Sequence, residues 1–170
     1  CVGCGRKIRK TYSGGYCYPC FIKLPQTDMC ILKPEKCHHH LGTCRDPQWG
    51  TKNCMIPHTL YLARSSGIKI GITRQQQQFT RWVDQGATEA MAIGTFPTRL
   101  EVGLAEVTIS AEMSDKTNWR KMLTNEVTDA PFEDYQKMAR GLLSEEQRAH
   151  LIEDTKVYKF NYPVENFPAK

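Results

Sequence analysis

Long apolar runs are missing from this 170-residue chain. A membrane-spanning helix needs about 18 consecutive apolar residues, and a secretory signal needs an apolar stretch behind a basic start. The sequence has neither pattern. Apolar residues make up 40% of the chain and charged residues 24%, as in folded globular proteins, so disorder is not expected. We therefore expect a folded protein that has no membrane partner and works in the cytoplasm.

Cysteine is missing from the last two-thirds of the chain, because all eight thiols lie at or before Cys54. Without a secretory signal, clustered cysteines indicate metal ligands in a reducing compartment rather than disulfides. Because the cysteines are confined to this part of the chain, we expect a metal-binding region at residues 1–57.

Two Cys-x-x-Cys turns open the sequence. Cys1 and Cys4 form the first turn, and Cys17 and Cys20 form the second after twelve residues that include a Ser-Gly-Gly turn. Each turn directs two sulfurs at one ion, and the insert suits a β-hairpin, as in a zinc ribbon. We predict a structural Zn²⁺, because four thiolates leave no coordination position for a substrate. The regular spacing argues against four unrelated thiols.

The remaining cysteines are spaced less regularly and surround three histidines. We predict that they hold a second structural Zn²⁺, with one histidine as a substitute ligand. The alternative is that the thiols pack as small apolar groups while the histidines face solvent. A catalytic metal has less support, since the sequence places no acid or base beside the cluster. The residues concerned are Cys30, Cys37, Cys44 and Cys54, with His38, His39 and His40.

Positive charge is concentrated at the N-terminal end. Residues 1–60 carry nine Lys and Arg against three Asp and Glu, within a net charge of +5 for the chain. Two Cys₄–Zn²⁺ centres would each add −2, which lowers the total to about +1 and weakens the charge argument for a nucleic-acid partner. The predicted hairpin still offers candidate phosphate contacts, although a solvated basic turn is the alternative. These are Arg6, Lys7, Arg9 and Lys10.

Strand and helix patterns begin at His58. Residues 58–73 predict two strands around a Ser-Ser-Gly turn, 77–85 a helix, 90–96 a strand and 99–113 a helix. That last helix has an expected buried stripe of Leu100, Leu104, Val107 and Ala111. Residues 132–153 predict a further helix and 157–164 a strand. We expect an α+β fold with a small antiparallel sheet and helices at 58–123. An extension would follow at 124–170, cut at its end, because the chain looks like an internal piece of a longer protein.

Four motifs in this order resemble the GIY-YIG nuclease superfamily over residues 58–123. They are Thr59-Leu-Tyr61, Lys69-Ile-Gly71-Ile-Thr73, Arg81 and Leu100-Glu101. The closest resemblance is to the branch whose second motif reads K-I-G-I-T. The whole chain, cysteines included, also resembles a bacterial family described only as a domain of unknown function, which implies no chemistry.

The nuclease resemblance implies a role for each motif residue. Tyr61 would be the general base or would position water, Gly71 would allow close packing in the central strand, and Arg81 would hold the scissile phosphate. Glu101 would bind Mg²⁺. Glu106 competes for that metal role, because residues five apart on a helix point about 140° apart and only one can face the site.

Two departures from the family pattern leave the function open. Lys69 replaces the second tyrosine, and Gln85 stands where many of these nucleases have a histidine. The first hypothesis is a Mg²⁺-dependent endonuclease with a zinc-stabilised N-terminus that binds DNA or RNA. The second is a non-catalytic nucleic-acid-binding module that docks on a ribonucleoprotein such as the ribosome. A third is a zinc-stabilised protein–protein adaptor. The sequence decides neither DNA against RNA nor the oligomeric state.

Overall fold

The computed structural model describes residues 1–112 and 131–162. Within these ranges the chain forms seven α-helices and four strands, a mixed α+β architecture. The predicted domain boundary at 123/124 and the expected end of the terminal strand at 164 lie outside the described residues. The helices are α1 (Tyr18–Lys23), α2 (Met29–Leu32), α3 (Pro47–Asn53), α4 (Gln78–Asp84), α5 (Arg99–Ser110), α6 (Phe132–Leu142) and α7 (Glu145–Arg148).

The strands form one antiparallel sheet in the order β2-β1-β3-β4. The hairpin predicted for residues 58–73 and the third strand are present. β1 lies at His58–Arg64, β2 at Ile68–Arg74 and β3 at Glu89–Phe96. The fourth strand, β4 (Val157–Lys159), pairs with β3. The expectation that Gly71 lies in the central strand is wrong, because β1 and β3 are the interior strands and β2 is an edge.

Both faces of the sheet are covered, and successive side chains of β1 point to opposite faces. Leu60 and Leu62 of β1 join the larger core, which includes Ile109 of α5 and Phe132 of α6. On the other face, Tyr61 and Ala63 pack with Trp82 of α4, and all seven residues of β1 are buried. No helix in the described ranges is long and apolar enough to cross a membrane.

Two helix predictions need correction. The buried face of α5 carries Val102, Gly103, Ala105 and Ile109, whereas two residues of the expected stripe, Leu104 and Val107, are 45% and 48% exposed. The predicted helix at 132–153 is interrupted after Leu142. Its break is caused by the extended Leu143 and by a capping box at Ser144, which starts α7.

The cysteine-rich region is irregular apart from its short helices and three 3₁₀ turns, and a fourth 3₁₀ turn lies between β2 and α4. The turns lie at Pro25–Thr27, Pro34–Lys36, His39–Leu41 and Gln75–Gln77. This region packs closely on α5. A Cβ added at Gly103 would lie 2.6 Å from the Cβ of Pro34 and from the backbone nitrogen of Glu35, so only glycine permits this approach.

Candidate metal centre and strand-edge cleft

The first four cysteines form a compact group of sulfurs. All four Sγ atoms lie within 4.8 Å of one another, and the sulfurs of Cys4 and Cys17 are 3.8 Å apart. A tetrahedral Zn²⁺ with bonds of about 2.3 Å separates its sulfur ligands by about 3.8 Å, so the donor set fits this metal. The first two cysteines lie in the opening turn, and the second pair lies at the start of α1, with Cys17 as its N-cap.

Hydrogen bonds and mutual repulsion also favour a cation in this group. The backbone N–H of Cys17 donates to Cys1 Sγ at 3.2 Å, as is common for metal-bound thiolates. The hydrogen bond with Cys17, aided by burial, raises the pKa of Cys20 to about 11. The hydrogen bond from the backbone of Arg6 lowers the pKa of Cys4. A divalent cation at their centre would hold all four thiols in the ionised form.

The second set of cysteines surrounds a cavity of about 10 Å³, roughly the space of one water molecule or ion. Cys30, Cys37 and Cys54 are buried in one cluster, and Cys44 also lines the cavity. Burial, with the nearby carboxylate of Asp28, raises the pKa of Cys30 to about 12. In the absence of a cation the Cys30 thiol is protonated.

His38 lines this cavity and groups with one of its cysteines, Cys30. Its Nδ1 hydrogen-bonds the hydroxyl of Thr43 at 2.7 Å, and its Nε2 lies 3.6 Å from Asp28 Oδ1. Asp28, Cys30 and His38 place their ligand atoms within 4.8 Å of one another. His39 also lines the cavity, but its Nε2 contacts the carbonyl oxygen of Pro47 at 3.2 Å. His40 is exposed.

A separate cleft of about 330 Å³ lies beside the edge strand β2. Its lining brings together three of the residues that the sequence singled out, namely Tyr61, Lys69 and Arg81. Tyr61 comes from β1, Lys69 from β2 and Arg81 from α4. One carboxylate, that of Glu106 on α5, lines the same cleft. The sequence-predicted cations and tyrosine therefore converge on one concave surface.

The position of the tyrosine depends on the glycine that faces it. Tyr61 pairs directly with Gly71 across the β1–β2 ladder. A Cβ added at Gly71 would lie 2.7 Å from both Cζ and Oη of Tyr61. The glycine thus allows the phenol ring to lie across β2, where its hydroxyl reaches the cleft.

A glutamine joins the tyrosine to the arginine. With the Gln85 amide oriented to satisfy both neighbours, its oxygen accepts from Arg81 Nε at 2.6 Å and from the Tyr61 hydroxyl at 2.5 Å. Burial raises the pKa of Tyr61, and the negative charge of Glu106 adds to the rise, although Gln85 and Arg81 oppose it. The hydroxyl is therefore protonated at neutral pH.

Glu101 does not line this cleft. It lies in the first turn of α5, where Thr98 Oγ1 accepts from its backbone N–H at 3.3 Å and donates to its Oε1 at 3.0 Å. Its Oε2 is 4.0 Å from Nε2 of His150. The carboxylate at the cleft is Glu106, the competitor that the helix geometry had identified.

The basic N-terminal residues lie elsewhere. Arg6, Lys7, Arg9 and Lys10 are exposed in the turn between the two Cys-x-x-Cys motifs. The ammonium group of Lys10 lies 5.3 Å from the centroid of the Tyr12 ring, which places a cation and an aromatic ring on the same surface.

Sequence reasoning missed three parts of the cleft, one of which is the guanidinium group of Arg99. Gln85 was noted only as a departure from a family pattern, and its role as a bridge depends on a long-range contact. The third part is the wall formed by Ile31, Leu32 and Pro34. Nothing in a Cys- and Pro-rich segment signals that it packs beside a strand more than thirty residues later.

One protein family has a model that matches residues 1–170, and its description is "Protein of unknown function (DUF2797)". No curated protein matches the chain. No solved structure matches it either.

Proposed function

This chain belongs to the DUF2797 family, and we propose that it acts on nucleic acid as a Mg²⁺-dependent, GIY-YIG-like endonuclease. The observation that carries the proposal is the convergence of Tyr61, Lys69, Arg81 and Glu106 on one cleft. These are the groups that phosphodiester hydrolysis requires, namely cations for the phosphate, a hydroxyl to orient water and a carboxylate for a metal.

Lys69 and Arg81 would bind the phosphate. Arg81 is exposed on α4 and Lys69 is half-buried on β2, so both can meet a phosphate that enters from solvent. The hydrogen bond to Gln85 fixes the guanidinium of Arg81. A fixed cation stabilises developing negative charge at little reorganisation cost.

Tyr61 would position the attacking water rather than remove its proton. Its raised pKa keeps the hydroxyl protonated, and a protonated phenol orients water through hydrogen bonds but is a poor base. Glu106 would hold Mg²⁺, which is commonly bound by one or two carboxylates and several waters. The metal would supply charge stabilisation at the leaving oxygen.

We further propose that two structural zinc ions stabilise the N-terminal region. The first is held by Cys1, Cys4, Cys17 and Cys20. The second is held by Cys30, Cys37, Cys44 and Cys54, with His38 as the substitute ligand. Four-coordinate sites of this kind are closed, so neither metal would take part in catalysis. Arg6, Lys7, Arg9 and Lys10 would then contact phosphates outside the cleft.

A non-catalytic nucleic-acid-binding module is the second candidate. The bridge from Gln85 favours it, because the Tyr61 hydroxyl and Arg81 already satisfy each other through that amide. Lys69 in place of a tyrosine also favours phosphate binding over water activation. In this case Glu106 has no metal to hold.

The two carboxylates of α5 give a matched test. Single- and double-stranded DNA and RNA are incubated with Mg²⁺ or Mn²⁺ and with each variant. Glu106→Gln should lower cleavage by at least about 100-fold and leave binding nearly unchanged. Glu101→Gln should cleave like the parent, because that side chain lies outside the cleft. Arg81→Ala should weaken binding and abolish cleavage.

Each outcome selects one hypothesis. Equal losses of cleavage in the Glu106→Gln and Glu101→Gln variants would show that the metal does not bind through Glu106 at the cleft. If the parent protein binds nucleic acid but cleaves none of the substrates, the result supports the non-catalytic binding module. If the parent protein neither binds nor cleaves any of the four nucleic acids, the proposed function is wrong.

A further inference from the structure

The cleft is lined by both charged and apolar side chains. Lys69, Arg81 and Arg99 supply positive charge, while Ile31, Leu32 and Pro34 of the cysteine-rich region supply apolar surface. The Leu32 side chain is 78% exposed. A single exposed leucine needs no explanation, but one beside phosphate-binding cations offers a contact for an apolar group attached to that phosphate.

This apolar wall is held in place rather than carried on a loose loop. The Arg99 guanidinium donates to the carbonyl oxygens of Cys30 at 3.3 Å and of Ile31 at 2.7 Å. Pro34 is in tight contact with Gly103 of α5. Because α5 also carries Glu106, the wall and the carboxylate are positioned by the same helix. A preformed surface binds without the entropy loss of ordering it.

We infer that this cleft binds a nucleotide unit with an unpaired base, its phosphate on Lys69 and Arg81 and its base face against Leu32 and Ile31. The inference rests on the proposed function and narrows its substrate to single-stranded or locally unpaired nucleic acid. In a duplex, both faces of each base are covered by its neighbours. An unpaired base can turn out of the stack and contact apolar side chains.

The size of the cleft agrees with this occupant. A volume of about 330 Å³ is near the lower end of pockets that take small organic molecules. It suits one nucleotide unit, whereas a double helix would have to lie across its mouth. A base that rests on Leu32 would remove much of an exposed side chain from water, which amounts to about a fivefold gain in affinity.

Fluorescence anisotropy with labelled strands tests the base contact. The probes are a single strand of about twelve nucleotides, in DNA and RNA form, the same strand with abasic positions, and a duplex. They are measured at one salt concentration without added divalent metal. Leu32→Ala should bind the intact strand about fivefold more weakly and the abasic strand as the parent does. Arg81→Ala should weaken the binding of both strands.

Leu41 provides a matched control. It is 66% exposed in the same region but does not line the cleft, so Leu41→Ala should bind like the parent. A free mononucleotide should compete only at far higher concentration than the strand. Competition at equal concentration would identify a free nucleotide as the ligand and would overturn the single-strand assignment.

Failure of this inference differs from failure of the proposed function. If the strand binds through Arg81 but Leu32→Ala has no effect, the base contact is refuted and the phosphate site stands. Tighter binding of the duplex, or equal binding of intact and abasic strands, refutes it in the same way. If the parent binds no probe, the proposed function itself is refuted.

Discussion

Replacing Gly103 by alanine tests the packing that joins the cysteine-rich region to the sheet. Gly103 lies inside α5, and a Cβ there would lie 2.6 Å from Pro34 Cβ and from the Glu35 nitrogen, and 2.7 Å from the Pro34 carbonyl carbon. Two of these are backbone atoms, which cannot rotate aside. Either α5 or the turn at Pro34–Lys36 must therefore move.

Two opposing contributions determine how far Gly103→Ala changes the free energy of unfolding. Alanine is favoured over glycine inside a helix by about 1 kcal/mol. Overpacking a closely packed site costs about 1–3 kcal/mol, and contact with rigid backbone points to the upper end. The net effect of Gly103→Ala is a loss of about 2 kcal/mol. For a chain of this size that corresponds to a melting temperature lower by about 4–8 °C.

Gly141→Ala is the matched control. Gly141 lies in α6, and a Cβ there meets nothing within 4 Å, so only the helix preference acts and stability should rise by about 0.5–1 kcal/mol. Thermal and denaturant unfolding of both variants gives the comparison. If Gly103→Ala stabilises the protein as much as Gly141→Ala does, α5 does not pack against Pro34 and the cleft wall is misplaced.

The remaining predictions concern metal and pH. Elemental analysis should give two zinc ions per chain, and a value of one would remove the second site. Cys17→Ser should make residues 1–25 protease-sensitive, because losing a thiolate removes folding free energy; unchanged proteolysis of Cys37→Ser would favour buried thiols in the second cluster. Burial lowers the pKa of His58 from 6.5 to about 4, so between these pH values the unfolded state binds a proton that the folded state does not. The free energy of unfolding should therefore fall by about 3 kcal/mol as the pH falls from 6.5 to 4. The fall should be less steep in His58→Gln. An equal pH dependence of stability in the parent protein and in His58→Gln would contradict this prediction.

Features set by neighbouring residues could be predicted from the sequence. The two Cys-x-x-Cys turns place their own sulfurs, and the structure gathers all four. The Ser-Ser-Gly turn forms the β1–β2 hairpin, and the turn type and loop length fix the register of the two strands. Once that register is fixed, Tyr61 must lie opposite Gly71. The sequence predicted the cysteine turns and the hairpin because short-range geometry determines them.

Contacts between distant segments could not be predicted in this way. The bridge from Gln85 to Tyr61 joins α4 to β1 across a separation of 24 residues. Its formation depends on how α4 packs on the sheet, which Trp82 decides by filling the core beside Tyr61. The apolar wall at Leu32 likewise depends on packing between segments, so local patterns give no sign of it.

The two carboxylates of α5 show how the packing of a helix affects which of its side chains lines a cleft. With 100° per residue, Glu101 lies on one side of the buried row Val102, Ala105 and Ile109, and Glu106 lies on the other. Sequence periodicity alone had assigned a different buried row, so it gave the wrong rotation of the helix. The rotation observed brings Gly103 against Pro34, where any side chain would clash. Gly103 thereby turns Glu106 towards the cleft and leaves Glu101 near His150. A glycine with no chemistry of its own thus permits the packing that places Glu106, rather than Glu101, at the cleft.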